Sequence, residues 1–154
     1  MQINIRQARP KDWQLIQKLN NHVFQNDKEN DSDMNLNWPF TEQGIAYYKD
    51  LANGTYGHCL IAEIGNEVVG YAALSKKSFD YRNSQYVELE NIGVDPAYRS
   101  KGIGKVLMET IEKWARDQGA DKLYVAAFWG NTRAIKYYKQ NGFHETGIEL
   151  EKDL

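Results

Sequence analysis

Ile3 and Ile5 alternate with polar residues across positions 3–9, and this two-residue period predicts a strand. Pro10 suits the first turn of a helix, and Trp13, Ile16, Leu19 and Val23 follow at helical spacing. Residues 25–38 are polar and loop-like. Residues 41–52 predict a second helix with Thr41 as its N-cap. Residues 58–74 predict two apolar strands around Gly65 and Asn66, a turn pair that tolerates positive φ. A loop is predicted at 76–84 and another strand at 85–94. The strongest helical pattern covers 100–118. There Ile103, Leu107, Ile111 and Trp114 form one stripe, and Gly119 is a natural stop. A strand at 122–128, a helix at 131–141 between Asn131 and Gly142, and a final strand after Phe143 complete the pattern. This order predicts an α/β (α+β) fold with a mixed sheet.

The 85–94 strand breaks its own alternation. Val87 and Leu89 put the apolar side on odd positions, with Tyr86, Glu88 and Glu90 on the even ones. Ile92 and Val94 then put it on even positions. The parity flips near Glu90 and Asn91. A β-bulge produces such a one-residue slip and often lies beside an active site. Burial of both faces is the other reading of the same pattern.

Composition narrows the classes. The 154 residues suit one domain over 1–154, and 42% hydrophobic with 26% charged residues is ordinary globular material. A net charge of −2 gives no basic footprint for nucleic acid. Cys59 stands alone, which excludes an internal disulfide and fits a reducing compartment. The N-terminal segment has no apolar core, and no run approaches membrane-spanning length. The expectation is a cytoplasmic protein without a membrane partner.

Candidate chemistry begins at "DPAYRSKGIGKVLM", residues 95–108, where glycines feed the strongest helix. A P-loop is excluded, because Arg99 stands where its first glycine belongs and Val106 follows Lys105. The dinucleotide fingerprint is excluded by Leu107 in place of its third glycine. Arg99, Gly102 and Gly104 remain, after a strand and opening a helix. Glycines let backbone approach a ligand, and a helix start offers free N–H groups and a positive dipole end. Arg99, Lys101 and Lys105 add charge suited to a pyrophosphate.

"IGVDPAYRSKGIGKVLM" resembles the acetyl-CoA-binding motif of GCN5-related N-acetyltransferases. "NTRAIKYYKQNGF", residues 131–143, resembles the same superfamily's second signature. The resemblance covers nearly the whole chain and is weakest over 25–57. It implies a mixed, mostly antiparallel central sheet flanked by helices, with splayed central strands. It implies acetyl-CoA as cosubstrate and no metal. Amides of Arg99, Ser100, Lys101, Gly102, Gly104 and Lys105 would hold the pyrophosphate. The backbone of Ile92 and Val94 would pair with the pantetheine arm, and an N–H there would steady a developing oxyanion. Asn131 would contact the pantetheine. Family members are often dimers, which leaves a homodimer open by analogy.

Acetyl transfer to an amine poses two proton problems. An alkyl ammonium with a pKa near ~10.4 must be deprotonated, and a leaving thiolate of pKa roughly 8.5 benefits from a proton donor. The resemblance makes Tyr138 the donor. Tyr137 is the fallback, about 100° away around the helix. Glu88 lies where several family members carry a base, and Glu90 would orient the substrate; two solvated carboxylates are the other reading. His22, His58 and His144 show no metal-ligand spacing and read as structural or exposed. Cys59 reads as a buried inert thiol. Asp27, Glu29, Asp31 and Asp33, followed by Trp38 and Phe40, would form an acidic, aromatic mouth for a cationic amine. Such an acceptor is a polyamine, an aminoglycoside or a lysine side chain. A solvated loop is the competing reading of that charge run. Tyr81 is a further candidate for the acceptor pocket. The implied activity is direct transfer of an acetyl group to a primary amine of a small molecule or peptide. A non-catalytic acetyl-CoA sensor, or an acyltransferase with another donor, stays open.

Overall fold

A computed structural model describes all residues, 1–154. Its centre is one five-stranded sheet: β1 (Ile3–Gln7), β2 (His58–Ile64), β3 (Glu67–Lys77), β4 (Tyr86–Val94) and β5 (Lys122–Tyr124), side by side in that order. The first three pairings are antiparallel and β4–β5 is parallel. A parallel neighbour needs a crossover, and helix α3 (Ile103–Asp117) supplies it. Helices α1 (Trp13–Asp27) and α2 (Glu42–Asn53) connect β1 to β2, and α4 (Thr132–Gln140) follows β5.

The sheet buries both faces. Leu60, Ala72, Leu74, Val87 and Leu89 meet the stripe of Ile103, Leu107 and Ile111 on α3. On the opposite face Ile61, Tyr71 and Ala73 meet Ile16 and Leu19 of α1 and Tyr48 and Leu51 of α2. The α3 stripe includes Met108 and Ala115 as well, while Trp114 is only half-buried. Thr41 caps α2 as expected, its Oγ1 accepting from the Gly44 amide at 3.1 Å. The helix then ends at Gly54 in the left-handed region.

Three boundaries differ from the sequence expectation. β3 continues through Lys76 and Lys77, because Val87 and Tyr86 stand opposite them in register. The strand expected at 122–128 stops at Tyr124, where β4 ceases to pair with it. The chain after Phe143 forms no strand. Its apolar alternation ends in Ile148 and Leu150, which are 69% and 90% exposed, and β5 offers only three residues of edge.

One buried ion pair ties β1 to the start of α1. Arg6 Nη1 and Nη2 donate to the Asp12 carboxylate at 2.7 and 3.0 Å, and Arg6 Nε donates to Glu63 at 2.7 Å. The Arg9 amide donates to Asp12 as well, at 2.6 Å. Burial pushes the Asp12 carboxyl up, but these hydrogen bonds more than offset it and hold it below the usual carboxylate range. Its contribution is therefore present above the ordinary carboxylate pKa and is lost as pH falls through the lowered value. Asp12→Ala leaves Arg6 half-buried with Glu63 as its one carboxylate partner. The expected cost is about 3 kcal/mol, read as a lower urea midpoint at neutral pH. A midpoint equal to the parent's would show that the pair does not brace the fold.

Candidate active site

The parity slip in β4 is a bulge. Asn91 stands opposite Ala73 and Leu89 opposite Leu74, so Glu90 has no cross-strand partner. Val87, Leu89, Ile92 and Val94 consequently all pack toward the α3 cluster, although their parity changes. β4 and β5 pair only across Tyr86–Lys122, Val87–Leu123 and Glu88–Tyr124. Beyond the bulge the two strands part, and an open cleft of about 2180 Å³ lies between α1, α4 and the exposed edge of β4. The Asp95 amide donates to Val69 of β3 at 2.8 Å. Strand alternation then turns the Gly93 amide toward β3 and the polar groups of Ile92 and Val94 toward the cleft. Consistent with this, the Val94 carbonyl accepts from Arg99 Nε, on the cleft side, at 3.4 Å.

At one end of the cleft lies the glycine turn. A short 3-10 turn, Pro96–Tyr98, is started by Asp95, whose Oδ1 accepts from the Ala97 amide at 2.9 Å. Ser100 (φ +62) and Gly102 (φ +83) are both left-handed, and Ser100 is the one non-glycine residue of the chain that is. No amide from Ser100 through Lys105 has a backbone or side-chain acceptor; the first α3 bond is Val106 to Gly102, at 3.2 Å. Successive free amides in such a turn form an anion nest, reinforced here by the start of a 15-residue helix. Arg99, Lys101 and Lys105 belong to the same turn and add positive charge to it, with the Lys101 ammonium 5.1 Å from the Tyr98 ring. This donor set fits a pyrophosphate.

Gly104 has a different task from Gly102. A Cβ at Gly104 would lie 3.3 Å from the Tyr137 ring and its hydroxyl oxygen. The Tyr137 hydroxyl donates to the Gly104 carbonyl at 2.7 Å, which locks α4 against the first turn of α3. Burial pushes this phenol up to about 12. The Tyr137 hydroxyl is thereby engaged with backbone.

Tyr138, one residue on, lines the cleft, and its hydroxyl has no protein partner. Burial pushes it up to about 12, with Tyr137 and the Asp27 charge adding to the effect. Asn131 begins α4, its Oδ1 accepting from the Ala134 amide at 3.1 Å. Its Nδ2 donates to Asp27 Oδ1 at 3.2 Å. Both ends of that side chain are thus engaged within the protein, bridging the end of α1 to the start of α4. Asp27 itself is pushed above the usual carboxylate range by burial.

The two glutamates separate at the bulge. Glu90 lines the cleft, and its carboxylate accepts from the Tyr47 hydroxyl at 2.8 Å and the Tyr56 hydroxyl at 2.7 Å. Glu88, before the bulge, faces Lys77 at 3.8 Å and does not line the cleft. His22 does line it, which sequence reasoning missed. The available signal was its place one turn after Leu19 on the same helix. His58 instead stacks on Trp114 at 4.5 Å, with its pKa lowered by burial, and His144 is exposed. Cys59 is buried, its thiol pushed up to about 12 by desolvation. Asp27 and Asp31 line the cleft, while Glu29 and Asp33 are exposed. Trp38 stacks on Phe24 at 5.8 Å and is half-buried, whereas Phe40 is exposed. Tyr81 is exposed at the far end of the cleft.

Residues 15–143 match the family model for acetyltransferases of the GNAT family. The chain belongs to the GNAT family. Among its relatives is the N-alpha-acetyltransferase RimI of Mycobacterium tuberculosis, 32% identical over 115 residues, 72% of this chain and 64% of that one. Another is a thialysine N-epsilon-acetyltransferase of Bos taurus, 37% identical over 93 residues, 55% and 54% of the two chains. This chain therefore covers less than two-thirds of the curated relatives it matches first. In structure it is similar to a Bacillus halodurans protein crystallised as a tetramutant. The TM-score is 0.86 at 19% identity over 98% of this chain and 99% of that one, a likeness of fold. The mixed, mostly antiparallel GNAT sheet with parted central strands is thus established, and membership of the family implies use of acetyl-CoA. No helix is long and apolar enough to cross a membrane.

Proposed function

We propose that residues 1–154 form one N-acetyltransferase domain that moves an acetyl group from acetyl-CoA directly to a primary amine of a small molecule or peptide. The observation that carries this reading is the run of unpaired amides at Ser100–Lys105, opening into a cleft flanked by Tyr138 and Glu90. Those amides, with Arg99, Lys101 and Lys105, hold the pyrophosphate. The cleft-facing backbone of Ile92 and Val94 holds the arm between pyrophosphate and thioester. When bound, acetyl-CoA supplies an activated acetyl thioester. Tyr138 donates its phenolic proton toward the leaving sulfur. Glu90 draws the ammonium into the cleft and accepts its proton, directly or through water, and Glu88 supports the negative potential from two residues back on β4. The amine attacks the thioester directly, so no nucleophilic cysteine is required, and Cys59 stays buried away from the cleft. Both relatives are named for amine acetylation, one at an alpha and one at an epsilon nitrogen.

The test is thiol release from acetyl-CoA against a panel of peptide N-termini, lysine analogues, polyamines and aminoglycosides. At least one amine is expected to accelerate release well above hydrolysis. Tight CoA binding with no acceleration by any of them would replace this reading with that of a non-catalytic acetyl-CoA sensor.

A further inference from the structure

Glu90 is held by one end of a hydrogen-bond chain that begins deep in the core. A carboxylate only accepts, so Tyr47 must spend its single O–H on Glu90. Its oxygen is then free to accept, and the Asn91 amide nitrogen donates to it at 3.2 Å. This fixes the Asn91 amide, whose oxygen accepts from the Tyr71 hydroxyl. The Tyr71 oxygen accepts from the Asn20 amide nitrogen at 2.8 Å, and the Asn20 oxygen accepts from the Tyr48 hydroxyl. Each hydroxyl donates once, and each amide presents oxygen and nitrogen to the partner it requires. Tyr48 and Tyr71 are fully buried, and Tyr71 already engages the Asn91 oxygen. The Tyr47 O–H consequently has no other acceptor to turn to. Tyr56 donates to the second carboxylate oxygen from the protein surface, where it is 44% exposed. Neither Tyr47 nor Tyr56 lines the cleft; Glu90 does.

We propose that Tyr47 and Tyr56 are positioning residues that clamp Glu90 in the orientation that receives a cationic primary amine. The bulge makes this possible, because it leaves Glu90 without a cross-strand neighbour. Each phenol occupies one lone pair on one carboxylate oxygen, so two lone pairs stay free for an ammonium. Held from behind at both oxygens, the carboxylate need not reorganise when the substrate enters. The acceptor class that follows is an amine protonated at neutral pH, rather than a weakly basic one. This inference rests on the acetyltransferase reading above.

The test compares Tyr47→Phe, Tyr56→Phe and the double variant, each also combined with Glu90→Gln. Two acceptors are used: an alkylamine that the parent acetylates, and a weakly basic amine that is neutral at the assay pH. Each single variant is expected to lower kcat/KM for the alkylamine about tenfold. It should change the weakly basic amine less than twofold and leave the KM for acetyl-CoA unchanged. In the Glu90→Gln background either tyrosine change should have no further effect, the coupling expected of residues that act through Glu90. Phenylalanine keeps the ring packing, and half-exposed Tyr56 can be replaced without threat to the fold. Equal losses on both acceptors, or undiminished losses in the Glu90→Gln background, would overturn the clamp in favour of a structural role. An active parent with indifferent variants overturns the clamp alone. A parent inert toward every amine overturns the acetyltransferase reading and the clamp with it.

Discussion

Gly102→Val is expected to lower acetyl-CoA affinity by tenfold or more while leaving the fold intact. Gly102 has φ +83, and a Cβ placed there would meet nothing within 4 Å. The cost of a side chain is therefore conformational and not steric contact with neighbours. Left-handed backbone costs an L-residue about 1–2 kcal/mol, and a β-branched one more. The turn is exposed at Lys101 and Gly102, so relaxing it is cheaper than carrying the strain. Relaxation turns the amides of Lys101 and Ile103 away from a common centre, and the nest is lost. A loss of 1.4 kcal/mol in binding is about tenfold in Kd. Asparagine tolerates the left-handed region, so Gly102→Asn should retain most of the affinity. Isothermal titration of both variants with CoA checks the pair. Equal affinities for the parent and Gly102→Val would mean that these amides do not hold the pyrophosphate.

The contrast with Gly104 shows how far sequence reasoning reached into the site. Both glycines stand out in "KGIGK", and both suggest close approach to a ligand. Only Gly102 has the backbone conformation that demands glycine; Gly104 is small because Tyr137 packs on it. Local dihedrals follow from local sequence, whereas a contact across 33 positions does not. The bulge in β4 was legible for the same reason: a parity slip between Leu89 and Ile92 is written in neighbouring residues. What ends a strand was not. Val125 to Phe128 are apolar enough for a strand, yet β4 bends away at the bulge and leaves them no partner. The Asn131 cap was legible from its position before α4, but its second bond, to Asp27, depends on α1 ending beside it. Tyr47 and Tyr56 carried no signal as partners of Glu90, because one is on a helix, the other in the turn that follows, and the glutamate on a distant strand. A carboxylate at a bulge nevertheless asks for donors, and in this fold α2 and the turn after it are near enough to provide them.

Tyr138→Phe is expected to lower kcat by about a hundredfold, within the range general-acid catalysis supplies, with little change in acetyl-CoA affinity. The phenol is pushed up to about 12 by burial, so it is protonated throughout the usual assay range. The donor form is lost only as pH rises through about 12. Hence the parent's rate should show no alkaline decline caused by this group at ordinary pH. The substitution removes one oxygen whose hydroxyl has no protein partner, so no buried group is orphaned and the thermal midpoint should hold. The adjacent residue supplies the control. Tyr137→Phe breaks the bond to the Gly104 carbonyl and loosens α4 from the nest. Its loss should appear in CoA affinity and in stability, of order 1 kcal/mol, more than in the chemical step. Single-turnover rates and CoA titrations on the two variants separate the cases. An unchanged single-turnover rate for Tyr138→Phe would remove it as the acid. Since Tyr137 is already bound to backbone, the proton would then have to come from another group lining the cleft, such as His22, or from water.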